Sequence, residues 1–151
     1  MSNQYVSEMN YHYQFSCDRR NLKSVRDFVA SVLRDENFSE NEIPAVVLAV
    51  DEICANLIVH SHQSDPNDVI EIWLKVTLET VICEIIDQDS MFYDFSAHKN
   101  PDIHQIVREG KNGGVGLMLV KCLVDKVEVE RHGTQSIWRL TKESPRPVFN
   151  S

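Results

Sequence analysis

Two hydrophobic rhythms alternate along the chain, and each change of rhythm marks a new element. Tyr11 to Cys17 alternates with an aromatic bias and predicts a first strand over 11–17. Asn21 to Leu33 then sets Leu22, Val25, Phe28, Val29 and Val32 at helical spacing, and Asp35-Glu36-Asn37 closes that run. Ser39, with Glu42 three residues on, is a capping-box signature that predicts a long amphipathic helix from there to about His60. Residues 69–78 and 80–87 alternate again and are rich in Val and Ile. They predict an antiparallel hairpin, although Glu79-Thr80 is weak turn chemistry.

Residues 87–112 have no strong period and read as a long loop, the kind that is usually functional inside a compact domain. Gly113 to Val124 predicts a helix opened by glycines. Residues 126–131 and 135–140 predict a last hairpin around His132-Gly133-Thr134. The tail, Ser144 to Ser151, contains Pro145 and Pro147 and is expected to fray. The order β-α-α-β-β-loop-α-β-β predicts an α+β fold. It should be a two-layer sandwich in which about three helices cover one face of a mixed, mostly antiparallel sheet.

The 151 residues predict one domain over 1–151, with a core of about 10–142 and flexible tails. The formal net charge of −8 argues against nucleic acid or an anionic membrane as the main partner, because both need clustered cations. A small anion in one local pocket stays open. Cys17, Cys54, Cys83 and Cys122 show no metal-binding spacing and read as reduced, mostly buried thiols. Met1 to Asn10 lacks the apolar stretch of a signal peptide, and no run is long enough to span a bilayer. A soluble, cytoplasmic protein is expected.

Three features carry candidate chemistry. Four of the five glycines (Gly110, Gly113, Gly114, Gly116) crowd into seven residues before an apolar-periodic helix. Unpaired N–H groups and the dipole at such a helix start suit a phosphate; the alternative is a merely flexible loop. Second, Val46, Val50, Ile53 and Leu57 share one side of the long helix, and Glu52, Asn56 and His60 stack beside them at i, i+4, i+8. Ala45 and Ala49 extend that row and would leave room for something to lie against it. An Asn oxygen with phosphate oxygens is coordination that magnesium accepts, and a Glu near an incoming hydroxyl can act as general base. The alternative is a solvated helix edge. Third, Asp87 ends an apolar strand, where it either meets a ligand amine or simply starts a turn.

In order, Glu52-x-x-x-Asn56-x-x-x-His60, then Asp87, then Gly113-Gly114-Val115-Gly116-Leu117 resembles the Bergerat (GHKL) ATP-binding fold. The short single-domain form is similar to the anti-sigma-factor serine/threonine kinases of partner-switching modules, over roughly residues 10–142. The resemblance implies that Asn56 ligates a magnesium ion bridging the phosphates of ATP, that Glu52 is the base, and that His60 shapes the pocket. It also implies that Asp87 accepts the adenine amino group and that the backbone of Gly113, Gly114, Val115 and Gly116 meets the phosphates, with Leu117 behind them. Residues 95–112 match the position of the ATP lid, where Lys111 and Arg108 would add positive charge. The family pattern Asp-x-Gly reads Asp87-Gln88-Asp89 here, so Asp89 brings a carboxylate to the adenine end. The implied partners are a STAS-type antagonist protein, a sigma factor and a second copy of the chain. The implied function is an anti-sigma factor that phosphorylates its antagonist. The alternative is a degenerate module that holds a partner without catalysis.

Overall fold

The computed structural model describes residues 8–61, 65–88 and 114–146. The alternating segments become β1 (Met9–Ser16), β2 (Val69–Val76), β3 (Thr80–Asp87), β4 (Lys126–His132) and β5 (Gln135–Glu143), in one sheet of order β1-β2-β3-β5-β4. Every strand pair is antiparallel, so the mixed sheet expected from sequence is a purely antiparallel one among the described residues. Three described helices, α1 (Leu22–Asp35), α2 (Ile43–Asn56) and α3 (Gly114–Leu123), contribute to the same buried core as the strands' inward rows. Ile70, Ile72, Leu74 and Val76 of β2 face Val25, Val29, Val50 and Ile53 across that core, all at most 1% exposed. This is an α+β fold with an open antiparallel sheet. The outward face carries a cross-strand charge network, Lys75–Glu84 at 3.2 Å and Arg139 at 2.8 Å from both Glu84 and Glu130. Burial alone would raise the Glu84 carboxyl, but hydrogen bonds from Arg139 and Lys75 hold it below the usual carboxylate range.

Local chemistry explains the corners. α1 stops because Asn37 takes a φ of 67°, with Asn37 N–H on Arg34 O at 3.1 Å and Phe38 N–H on Leu33 O at 3.0 Å. That is a Schellman closure, with Leu33 and Phe38 both buried against it. Alanine is strained in this left-handed conformation, whereas glycine is not. Asn37→Ala is therefore expected to cost roughly 1 kcal/mol and Asn37→Gly nothing. Urea midpoints at unchanged m-value measure both.

The capping box is only half formed. Ser39 Oγ accepts the Glu42 N–H at 3.2 Å, but the helix begins at Ile43, and the Glu42 carboxylate accepts the hydroxyls of Ser39 (3.1 Å) and Ser144 (2.8 Å). The β2–β3 connection is also longer than expected. Val76 pairs with Val81, and the Thr77 hydroxyl accepts the N–H groups of Glu79 and Thr80, supplying the turn chemistry that Glu-Thr lacks. The tail is corrected for its first three residues. Ser144 N–H bonds Glu79 O at 2.7 Å, Arg146 N–H bonds Leu78 O at 3.0 Å, and the Arg146 guanidinium lies 3.8 Å over Phe38. Residues 147–151 lie outside the described residues. In the last hairpin, Gly133 takes a φ of 64°, the positive value a tight hairpin loop requires.

Candidate functional site

The inward stripe of α2 is as its spacing predicts: Val46, Val50, Ile53 and Leu57 are all at most 2% exposed. Ala49 is also fully buried, so it serves packing and opens no groove beside the helix. Glu52 and Asn56 are half-buried on the flank of this stripe. α2 ends at Asn56, earlier than expected, and the chain widens into a π turn over Leu57–Ser61. Glu52 and Asn56 share one flank of α2, and the row that sequence extends to His60 passes from there into this wider turn. His60 belongs to the turn by its backbone.

Asn56 has one feature that packing does not explain. Its Nδ2 is buried and has no hydrogen-bond partner. An unsatisfied buried amide costs about 1–3 kcal/mol, so an amide left open at a helix end fits a ligand that completes it. Because Asn O and N are interchangeable by a flip of the side chain, the open valence suits either a hydrogen-bond acceptor or a cation held through oxygen. Among the described residues, no group of three or more His, Cys, Asp or Glu could hold a metal. The sparse form of magnesium coordination fits this amide, with Asn56 as one ligand and the rest drawn from phosphate oxygens and water.

Asp87 continues the inward row Val81, Cys83, Ile85 and is 0% exposed, a carboxylate where the alternation calls for an apolar side chain. It has interactions within the fold. Ser136 of β5 stands opposite it in register and is equally buried. Cys17 adjoins the same end, its N–H on Asp68 O at 2.9 Å. Burial, with the charges of Asp87, Asp68 and Asp65, pushes the Cys17 thiol up to about 12. Burial and the neighbouring Cys83, Asp51 and Cys17 likewise push up Cys54, two residues before Asn56. The C-terminal end of α2 and the C-terminal end of β3 thus converge around Cys17. Sequence reading took Cys17 as a buried thiol and gave Ser136 no role; the signal for Ser136 was a small polar residue in line with the buried row Trp138, Leu140 of β5.

α3 packs along α2, and its Leu117 and Val120 are at most 3% exposed, so the helix that opens with Gly114, Val115 and Gly116 is seated beside the one carrying Asn56. Gly113, Asp89, Lys111, Arg108 and the loop from 95 to 112 lie outside the described residues. The structure thus brings Glu52, Asn56, Asp87 and Leu117 onto adjoining elements.

Residues 15–142 match the histidine kinase-like ATPase domain family, and the chain belongs to that family. Among its relatives is the serine-protein kinase RsbW of Bacillus subtilis, 27% identical over 113 residues, covering 72% of this chain and 69% of that protein. The anti-sigma F factor of Geobacillus stearothermophilus is 24% identical over 119 residues, covering 79% and 81% respectively. Among solved structures, the RsbU and RsbW domains of Rv1364c from Mycobacterium tuberculosis superpose with a TM-score of 0.64 at 15% identity over 94% of this chain. The present chain spans 35% of that longer polypeptide. The SiaB–SiaC complex from Pseudomonas aeruginosa gives a TM-score of 0.57 at 10% identity over 89% of this chain and 88% of that one. Both likenesses are at the level of the fold.

Proposed function

We propose that this chain is an anti-sigma regulatory factor that binds ATP with magnesium and phosphorylates a serine or threonine of a small antagonist protein. The open amide of Asn56 carries the reading, in a family of ATPase domains whose relatives include a named serine-protein kinase and a named anti-sigma factor. ATP with magnesium supplies the phosphoryl group and neutralises its charge, and such transfer asks the protein mainly for positioning. Asn56 holds the metal side of the nucleotide, and Asp87 accepts the adenine amino group. The glycine-opened start of α3 offers N–H groups to the phosphates. Glu52 takes the proton of the attacking hydroxyl as the new O–P bond forms and ADP leaves. His60 shapes the same pocket by likeness to the family, and Lys111 adds positive charge for the phosphates. The free factor holds a sigma factor, the antagonist is of the STAS type, and the setting is the cytoplasm; a homodimer follows from the same likeness. Titration of magnesium–ATP into apo protein, followed by transfer to a STAS-type antagonist protein, tests the reading.

Asp89 favours a second reading, a module that holds partners with weakened nucleotide binding, because the family's glycine is replaced by a carboxylate. If that carboxylate crowds the adenine end, Asp89→Gly tightens ATP binding several-fold. A looser complex after the substitution would make Asp89 a contact instead. Calorimetric Kd values for the two proteins decide between them.

A further inference from the structure

A cavity of about 90 Å³ opens at the pole of the fold away from Asp87, and its wall includes Met9, Glu36, Val76, Leu78 and Arg146. Val76 stands six residues along β2 from Ile70, the register partner of Asp87. At 3.4 Å per residue the cavity is therefore about 20 Å from the adenine end. Two opposite charges share it without meeting. The Arg146 guanidinium is fixed on three sides: Nη1 donates to Ser144 O at 2.8 Å, Nη2 donates to Thr77 O, and its plane lies 3.8 Å over Phe38. Both of those acceptors are neutral, and among the described residues no carboxylate reaches ion-pair distance. Burial holds Arg146 below the usual arginine value despite the charges of Glu36 and Glu42. Across the cavity, Glu36 accepts the Tyr11 hydroxyl through one carboxylate oxygen, which leaves the other open. Glu36 also caps the C-terminal end of α1, where the negative end of the helix dipole favours a cation.

We infer that this cavity binds an aliphatic α-amino acid, with the ligand's carboxylate on Arg146, its ammonium on Glu36 and its side chain against Met9 and Leu78. A simple anion on Arg146 would face the Glu36 carboxylate, and a simple cation on Glu36 would face the guanidinium. A dipolar ligand meets both charges at once, and a half-buried charge gains most from a partner. The held, planar guanidinium keeps its remaining N–H groups in the fork that suits a carboxylate. Size agrees: a cavity of about 150 Å³ takes the six carbons of benzene, so 90 Å³ takes about four heavy atoms, close to the five that all α-amino acids share. The side chain then projects through the open mouth. Met9 and Leu78 stand there 47% and 45% exposed, two apolar side chains with surface left to cover. The inference stands on this cavity and does not depend on the proposed nucleotide chemistry.

Ligand-observed NMR titration of the full chain tests it, with L-leucine as the probe. 4-Methylpentanoate, which lacks the ammonium, and 3-methylbutylamine, which lacks the carboxylate, are the controls. Leucine should bind roughly tenfold or more tightly than either, the margin that one charge-assisted hydrogen bond supplies. Glu36→Gln keeps an acceptor for Tyr11 and should weaken leucine by about the same factor, while 4-methylpentanoate binds no more weakly than before. Arg146→Met should lose both, with its apo melt as the folding control because Arg146 also ties the tail. Saturating magnesium–ATP should leave the leucine affinity unchanged. Absence of leucine binding at millimolar concentration overturns the inference. So do equal affinities for leucine and 4-methylpentanoate, an unchanged leucine affinity in Glu36→Gln, or displacement of leucine by ATP. A chain that binds leucine but no nucleotide would leave this inference standing and overturn the proposed function instead.

Discussion

Replacing Asn56 with alanine is expected to remove most of the thermal stabilisation conferred by magnesium–ATP, yet leave the apo fold at least as stable as wild type. The two halves of this expectation have one cause. Nδ2 of Asn56 is buried without a hydrogen-bond partner, so deleting it relieves a desolvation cost of about 1–3 kcal/mol, less whatever packing and hydrogen bonding the rest of the side chain provides. A ligand at 100 times its Kd adds about 2.7 kcal/mol to the native state, which for a domain of this size is a shift of about 5–10 °C. Melts with and without nucleotide on both proteins give the four numbers required. If Asn56→Ala lowers the apo melting temperature by several degrees and keeps the ligand shift, Asn56 is a packing residue and the metal assignment fails.

Glu52→Gln is expected to leave nucleotide binding intact and to slow phosphoryl transfer by roughly 10²–10⁴-fold, the usual contribution of a general base. Glu52 lies one turn before Asn56, about 6 Å along the axis at 1.5 Å per residue. Half-burial leaves it able to reach a hydroxyl brought against the helix. Glutamine preserves shape and hydrogen bonding but cannot take the proton. Single-turnover transfer from labelled ATP to a STAS-type antagonist protein, at saturating nucleotide, measures the step. Transfer at the wild-type rate refutes the base, and loss of nucleotide binding together with transfer moves Glu52 into the metal site.

Periodicity made the strands and the inward faces of α1 and α2 legible, because a half-buried element shows its period in single residues: Ile70, Ile72, Leu74 in one case, Val46, Val50, Ile53 in the other. Asp87 was readable for the same reason, as a carboxylate closing the row Val81, Cys83, Ile85. What escaped reading depends on contacts distant in sequence. Ser144 meets Glu42 and Arg146 meets Phe38 across about a hundred residues, and no local pattern announces either. The Thr77 hydroxyl, one residue before the expected turn, shapes the β2–β3 loop that Glu79-Thr80 alone could not. The widening of α2 after Asn56 also has no counterpart in its apolar spacing, which continues to Leu57 without a break. His60 lies within that widened turn by its backbone.

The account depends most directly on whether freshly prepared apo protein binds ATP through magnesium. Isothermal titration of ATP with magnesium should give saturable one-site binding, and the same titration in excess EDTA should be weakened at least several-fold. No binding of any purine nucleotide at millimolar concentration, with magnesium present and the fold intact by melting, would contradict the assignment of Asn56 and Asp87 together.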